Sequence, residues 1–348
     1  MDPRLTEVAK ELMSELGREG AIQLLITEDD GLVKKEIEKV CLGLSTGPQF
    51  RGHVLLALRK ELFEDQVVLR SAAELYRDRE VLKTGIRSLD LLLGGDGIGI
   101  GEDGQLIEFT GRAGAGKSQL CMQLALMSCA PRDFGGLENG CVYINTEGSF
   151  PVSRMLEIEA GLREKLDLQL DYQGSSFSDK VIVEMCRSAD SLISLCSYRL
   201  PWLLEQSRAR VVIVDSVAAP LRFNSDRSAR SGSARDSLVF QLVKALRTVA
   251  RKFKALVLLT NQVTDVFIEA HQERAGAMRL RGSLRPFAPA LGIFWSSYMS
   301  ARYLLTKDGP TSTKSIEVLS SPSKPTGAKL ALVVDQAGVS EISSELPA

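Results

Sequence analysis

The residues GRAGAGKS, at positions 111–118, constrain the fold of this chain more than any other part of its sequence. They follow the apolar run LIEF and precede a helical pattern that begins near Lys117. A GxxxxGKS sequence between a strand and a helix lets glycine backbone N–H groups curl round phosphates, and the helix N-terminus adds its positive dipole. The sequence therefore predicts an α/β unit that binds phosphate at this loop.

Apolar runs alternate with amphipathic segments from Gln105 onward. The runs are LIEF, CVYIN (Cys141–Asn145), VIVEM (Val181–Met185), VVIVD (Val211–Asp215), ALVLLTN (Ala255–Asn261), ARYLL (Ala301–Leu305) and KLALVV (Lys329–Val334). Continuous β-branched runs are typical of strands buried on both faces. Their alternation with helices predicts an α/β fold with a mostly parallel central sheet flanked by helices.

The domain organisation follows from the same patterns. Residues 1–64 carry three sets of apolar residues at helical spacing, the first ended by Gly17 and Gly20, and predict a small helical domain. Either DNA binding or protein docking fits it. Residues 65–84 are predicted to be a linker and residues 85–348 the α/β core. A GxGxxG pattern at 99–104 is not a dinucleotide fingerprint, because its strand follows it instead of preceding it.

Composition excludes several classes of protein. A net charge of −1 gives no global basic field, so any nucleic-acid contact must come from local basic loops. The six cysteines lack CxxC spacing and are predicted to be reduced core residues, and two histidines are too few for a His-rich metal site. No apolar run reaches the ~18 residues of a membrane span, and the start shows no secretory pattern.

The loop is predicted to bind ATP and Mg²⁺. Lys117 can reach the β and γ phosphates, and Ser118 offers its hydroxyl to the metal. The predicted nucleotide-binding residues are Gly111, Arg112, Ala113, Gly114, Ala115, Gly116, Lys117, Ser118 and Gln119.

Polar side chains at three later strand ends complete the predicted site, because ligands bind at the carboxyl ends of parallel strands. Asp215 ends VVIVD and is predicted to orient Mg²⁺. Glu147 follows CVYIN and either activates the attacking water or caps the next segment. Asn261 and Gln262 end a further strand, and spacing alone leaves open whether an amide there senses the γ-phosphate.

The order of these motifs resembles that of the RecA family, and specifically the eukaryotic recombinase and its paralogues. The matching stretches are LDLLLGG (89–95), GRAGAGKSQLCMQLAL (111–126), VYINTEGSFPVSR (142–154), VVIVDSVAAPLR (211–222), LLTNQVT (258–264), PALGIFW (289–295) and SPSKP (321–325). The resemblance implies a RecA-like P-loop ATPase core, DNA-dependent ATPase activity, and a nuclear role in DNA repair by homologous recombination.

The resemblance also implies residue roles. Lys117 and Ser118 would bind phosphate and Mg²⁺, Asp215 would support the metal, Glu147 would activate water, and Gln262 would couple the γ-phosphate to the DNA-binding loop that follows it. Pro322, in the segment 321–325, would cap the nucleotide of a neighbouring protomer. The sequence departs from the family twice: Asn145 replaces a common Asp, and Ser118 replaces a usual Thr.

Two basic loops beyond strand ends, at 220–236 and 264–287, occupy the positions of the family's DNA-binding loops. Their candidate DNA contacts are Arg222, Arg227, Arg230, Arg235, Arg274, Arg279, Arg281 and Arg285. Basic loops with occasional aromatics suit single-stranded DNA. Charge density alone favours two solvated surface loops instead, because the second loop also carries Asp265, Glu269 and Glu273. The second loop does not otherwise match the recombinase, which argues against direct strand exchange.

The linker sequence LRSAAELYRDR, at 69–79, resembles the family's polymerisation segment, with Leu69 and Ala72 as the docking side chains. An ordinary amphipathic linker helix is the alternative. The resemblance implies another paralogue as partner, the one known by the letter C, besides the main recombinase filament and single-stranded or branched DNA. Three functions remain open: a mediator in a paralogue complex, a self-polymerising recombinase, and a scaffold that binds ATP without hydrolysing it.

Overall fold

The computed structural model describes residues 3–27, 29–41, 47–63, 72, 76, 79–100, 104–166, 176–223, 232–265, 287–289, 291–307 and 313–342. The chain divides into two compact units, residues 1–78 and 79–348. The predicted boundaries at 64 and 84 stay a prediction.

The first unit contains helices, as predicted for the N-terminal region. They are α1 (Pro3–Ile26), α2 (Asp30–Val40) and α3 (Pro48–Phe63). Helix α2 begins where it does because the Asp29 carboxylate accepts hydrogen bonds from the backbone N–H groups of Gly31 and Leu32. The prediction that the first helical run ends at Gly17 is confirmed: Gly17 adopts the non-helical angles φ 66° and ψ 172°, so α1 consists of two helical segments that meet at a kink there.

The second unit contains an extensive sheet and its covering helices. The strands are β1 (Glu80–Leu82), β2 (Ile98–Ile100), β3 (Leu106–Gly111), β4 (Cys141–Asn145), β5 (Val181–Met185), β6 (Val211–Asp215), β7 (Leu256–Asp265), β8 (Phe287–Pro289), β9 (Ala301–Lys307), β10 (Thr313–Ser320), β11 (Lys329–Asp335) and β12 (Gly338–Glu341). The helices are α4 (Arg87–Leu93), α5 (Lys117–Cys129), α6 (Val152–Lys165), α7 (Ala189–Ser194), α8 (Leu200–Ser207), α9 (Ala218–Phe223), α10 (Gly232–Phe253) and α11 (Gly292–Ser296). A π-helical turn, Leu195–Arg199, joins α7 to α8.

The sheet has the strand order β12-β11-β10-β9-β3-β7-β6-β4-β5, and β8 pairs with β7. Strands from β9 to β5 are parallel, whereas β9 to β12 form antiparallel pairs. This arrangement confirms the predicted RecA-like core with its mostly parallel sheet. Strands β1 and β2 form a separate antiparallel ribbon.

The strands β3 and β4 are buried along their whole length, as their apolar runs predicted. Alternate residues of β4 serve opposite faces: Tyr143 packs in the core on one side, and Val142 and Ile144 pack in the core on the other. Strand β5 ends the strand order, and its Val183 and Met185 side chains are exposed. It is therefore an edge strand, despite its apolar sequence.

Helix α5 lies against this sheet and is buried almost all round, from Leu120 to Cys129. All six cysteines of the chain are buried and free, as predicted. Burial raises the pKa of the Cys129 thiol to about 11. Within the described part of the chain, no helix has the length and apolar character needed to cross a membrane.

Glu159 lies on α6, and its buried carboxylate holds residues 176–178, which lead into β5. It accepts hydrogen bonds from the Ser176 hydroxyl at 2.7 Å and from the backbone N–H groups of Phe177 (2.7 Å) and Ser178 (3.1 Å). Arg163 forms an ion pair with it at 3.0 Å. Burial alone would raise the pKa of Glu159, but these hydrogen bonds lower it below its ordinary value.

We expect Glu159→Gln to lower the free energy of unfolding by about 1–3 kcal/mol at pH 7. Because the pKa is lower in the folded chain than in the unfolded one, the carboxylate stabilises the fold above the unfolded value and loses this effect as pH falls through the folded value. Urea denaturation should therefore show the deficit shrinking in acid. Exposed Glu164→Gln is the control, and a deficit that is independent of pH would contradict this account.

Candidate nucleotide-binding site

The loop 111–118 connects β3 to α5 and is shaped by its glycines. A Cβ atom on Gly111 would lie 2.2 Å from the Leu305 carbonyl oxygen, so only glycine fits there. Gly116 adopts φ 99° immediately before α5, a conformation that residues with a Cβ rarely take. The Lys117 ammonium donates to the carbonyl oxygens of Gly111 (2.8 Å) and Arg112 (2.9 Å), which holds it across the loop.

A cleft of about 560 Å³ opens beside this loop. Its lining residues are Ala113, Gly114, Gly116, Lys117, Ser118, Gln119, Met122, Tyr143, Asn145, Glu147, Ser149, Phe150, Pro151, Asp215, Ser216, Gln262, Lys314 and Val334. The structure thus brings the loop together with Glu147, Asp215 and Gln262, one from each of the three predicted strand ends, whereas Asn261 is buried and does not line the cleft. Gly111, Arg112 and Ala115, which were also predicted to bind nucleotide, are absent from this lining.

Asp215 is held by donors from its two neighbouring strands. The Tyr143 hydroxyl donates to Oδ2 at 2.7 Å, and the Thr260 hydroxyl donates to Oδ1. Burial, followed by the charge of Asp215, raises the pKa of Tyr143 well above its ordinary value, so that hydroxyl remains a donor. Neither donor was predicted from the sequence, and together they fix the carboxylate toward the cleft.

Glu147 joins residues just beyond β4 and β6 to Gln262 on β7. The prediction that a strand ends at Asn261 and Gln262 is wrong, because β7 continues to Asp265, where it pairs with β8. Its Oε1 accepts hydrogen bonds from the Ser216 hydroxyl at 2.6 Å and from Gln262 Nε2 at 2.8 Å. Thr146 ties β4 to β6, because its N–H donates to the Asp215 carbonyl (2.9 Å) and its hydroxyl donates to the Ser216 carbonyl (2.7 Å). The position of Glu147 is therefore set by contacts from three strands.

Asn145, the departure from the family pattern, has a definite role in this turn. Its Nδ2 donates to the carbonyl oxygens of Glu147 and Gly148, each at 3.2 Å. An ionised Asp has no donor and could not make these bonds. The amide therefore closes the turn that presents Glu147.

Lys314 on β10 supplies a second cation to the cleft. It lies beside the loop, where a Cβ on Gly116 would come within 4.0 Å of its Cγ. It also stands directly across the β9–β10 pair from Lys307. Burial, and then the charge of Lys307, lower the pKa of Lys314 below its ordinary value. No motif in the sequence of β10 indicated this residue.

The predicted DNA-binding and partner-binding residues and Pro322 are absent from the described lining of the cleft. Those outside the described residues are Leu69, Arg227, Arg230, Arg274, Arg279, Arg281 and Arg285. Ala72 is exposed, and Arg235 is half-buried on α10. Arg222 lies on the short helix α9, and only its backbone is described. Pro322 lies exposed between β10 and β11. Their proposed contacts stay predictions.

A family model described as Rad51 matches residues 77–342 of the chain. The chain belongs to the Rad51 family. Its relatives include mouse DNA repair protein XRCC3, 33% identical over 68% of this chain and 68% of that protein. DNA repair protein rhp57 of Schizosaccharomyces pombe is 32% identical over 70% of this chain and 75% of that protein. Budding-yeast DNA repair protein RAD51 is 36% identical over 52% of this chain and 42% of that protein.

Membership of the Rad51 family places the chain among the recombinase paralogues of homologous-recombination repair. Proteins of this family typically bind ATP with Mg²⁺, and the residues of the cleft fit that ligand. The loop glycines leave room that side chains would fill, Lys117 carries the positive charge, and Ser118 and Asp215 offer the oxygen ligands that Mg²⁺ prefers.

Proposed function

We propose that this chain is an ATP-binding recombinase paralogue that acts in the nucleus, within a paralogue complex, to assemble, remodel or stabilise recombinase filaments on single-stranded DNA. The observation that carries the proposal is the hydrogen bond between Gln262 and Glu147 at the mouth of the loop. It joins the candidate base to the strand that leads into the second basic loop. A nucleotide in the cleft can therefore influence both the candidate base and the second basic loop.

Different residues of the cleft have different roles in the proposed hydrolysis of ATP. Lys117, Lys314 and the loop N–H groups hold the phosphates. Ser118 and Asp215 would hold Mg²⁺, and the bound ion would supply positive charge to the phosphate oxygens. Glu147 accepts the proton of the attacking water, and its bonds to Ser216 and Gln262 aim the carboxylate. Pro322 is proposed to cap the nucleotide of a neighbouring protomer.

DNA contact is proposed through the two arginine-containing segments at 220–236 and 264–287, the first of which includes the end of α9 and the start of α10. Phosphate contacts by Arg would supply affinity that falls with salt, and aromatic side chains would stack on bases. The chain as a whole has a net charge of −1, so these loops would act locally and not through a global field.

The proposed partner contact joins the linker of one protomer to the sheet edge of another. Strand β5 ends the described sheet, and its exposed Val183 and Met185 offer apolar side chains beside that edge. A segment added there as a strand gains main-chain hydrogen bonds, and Leu69 and Ala72 would give specificity. Leu buries less area than the family's aromatic, which favours a dedicated partner, the paralogue known by the letter C, over self-polymerisation.

We expect the double change Leu69→Glu and Ala72→Glu to release the chain from its paralogue partner, because two charges cannot enter apolar pockets unpaired. Co-purification from cells measures this. The matched control is Leu32→Glu with Leu56→Glu, both exposed in the N-terminal unit. Retained co-purification of the Leu69/Ala72 variant would reject the docking role of the linker.

ATP turnover and filament formation test the proposal, first with the purified chain on single-stranded DNA and then with its co-purified partner. A mediator is expected to form no long filaments alone and to hydrolyse ATP only in the complex. Long filaments of the chain alone, with turnover, would make it a recombinase instead. ATP binding without turnover in either state would make it a scaffold.

A further inference from the structure

A fully buried carboxylate lies next to the strand that supplies Gln262. Glu108 is in the middle of β3 and has no exposed surface. Its Oε1 accepts hydrogen bonds from Asn261 Nδ2 and Trp295 Nε1, each at 2.7 Å, and its Oε2 accepts one from Arg302 Nε at 2.6 Å. A buried carboxylate is tolerated because these donors and the Arg302 charge compensate its lost hydration. We call these four residues the Glu108 cluster.

The Glu108 cluster is connected to the nucleotide cleft through Asn261. The Asn261 side chain donates to Glu108 with Nδ2, and its Oδ1 accepts the backbone N–H of Gln262 at 2.8 Å. Gln262 in turn donates to Glu147 at 2.8 Å. Hydrogen bonds thus join the candidate base to the Gln262 side chain and join the Gln262 backbone, through Asn261, to the centre of the core.

The other end of the series is Trp295 on α11, the helix that follows β8. Its side chain has no exposed surface and packs in the same apolar cluster as Leu291. Strand β8 pairs with residues 263–265 at the end of β7, so Gln262 directly precedes the paired residues of β7 and Trp295 follows β8. One carboxylate therefore contacts residues on both sides of the β7–β8 pair.

We propose that the Glu108 cluster is a positioning relay that transmits the state of the nucleotide cleft to α11. When a new partner for the Gln262 side chain displaces the Gln262 backbone, the Asn261 amide that accepts its N–H moves with it, and Asn261 and Trp295 share the same Glu108 oxygen. A buried hydrogen-bond donor that loses its partner raises the free energy of the folded state. The cluster therefore rearranges as a unit. The relay rests on the proposed binding of ATP in the cleft.

The two tryptophans of the chain allow a direct test. Trp202 is 56% exposed on α8, so Trp202→Phe leaves buried Trp295 as the sole reporter. Its emission is recorded during titration with Mg²⁺-ADP and with a non-hydrolysable ATP analogue, and binding of each is measured independently by calorimetry. We expect a saturable change in Trp295 emission with the triphosphate analogue and none with ADP. Iodide quenching of exposed Trp202 in the unaltered chain provides the same readout without a substitution.

A second variant tests whether Asn261 connects Gln262 to Trp295. Asn261→Leu keeps a side chain of similar size but removes both the donor to Glu108 and the acceptor for Gln262. In the Trp202→Phe background it should abolish the triphosphate-specific emission change, whereas Asn139→Leu, in a turn where the amide bonds Leu137, should preserve it.

The outcomes separate the relay from the proposed function. Identical Trp295 emission with both nucleotides, although calorimetry shows binding, would overturn the relay and leave ATP binding standing. A triphosphate-specific change that persists in Asn261→Leu would also overturn it. Absence of any nucleotide binding would overturn the proposed function and the relay together.

Discussion

Replacing Lys117 with alanine is expected to abolish ATP binding and, with it, DNA repair by this chain. The Lys117 ammonium lies across the loop, on the carbonyl oxygens of Gly111 and Arg112, where it can turn to a phosphate. A unit-charge pair at 4 Å contributes about 4 kcal/mol at the effective dielectric of a protein surface, and more to a multiply charged phosphate. We therefore expect affinity to fall at least about 100-fold, since each 1.4 kcal/mol is tenfold.

Calorimetry with Mg²⁺-ATP measures the affinity, and survival of repair-deficient cells after DNA damage measures the function. The matched control is Lys252→Ala, an exposed lysine near the end of α10. Unchanged ATP affinity would show that the loop is not the nucleotide site. Unchanged repair despite the loss of ATP affinity would show that repair by this chain does not depend on ATP binding.

Glu147→Gln is expected to keep ATP bound but to lower turnover by about 10²–10⁴-fold, the usual contribution of a general base. Glutamine retains the shape of the side chain and an oxygen that can accept from Ser216 and Gln262. It cannot take a proton from water. Single-turnover hydrolysis by the paralogue complex measures the effect, with exposed Glu205→Gln on α8 as control.

The pair of variants also discriminates between the open functions. Repair that survives in Glu147→Gln but fails in Lys117→Ala would mean that ATP only holds an interface, as the scaffold hypothesis requires. Loss of repair in both variants would make hydrolysis part of the function. Unchanged turnover in Glu147→Gln would assign the base to another residue.

The loop and the parallel strands could be predicted because their signals are local. Eight consecutive residues define the phosphate loop, and β3, β4 and β6 are continuous apolar runs. The antiparallel strands β10 and β12 gave no such run, since polar residues interrupt both. Lys314 lies on β10, and because that strand was not predicted from the sequence, this residue was not predicted either.

The partners of the predicted carboxylates could not be found by spacing. Tyr143 and Thr260 meet Asp215 only because parallel pairing places β4 and β7 on either side of β6. One overlooked signal was visible, however. Glu108 interrupts an apolar run and Arg302 interrupts another, and opposite charges in two buried strands predict that the strands are neighbours.

The lifetime of recombinase filaments on single-stranded DNA tests the central claim most directly. Loss of labelled recombinase is followed alone, with the complex that co-purifies with this chain, and with the same complex carrying Lys117→Ala. We predict that the unaltered complex slows the loss in the presence of ATP and that the Lys117→Ala complex does not. Equal lifetimes with and without the complex, or equal protection by the Lys117→Ala complex, would contradict an ATP-dependent action on the filament.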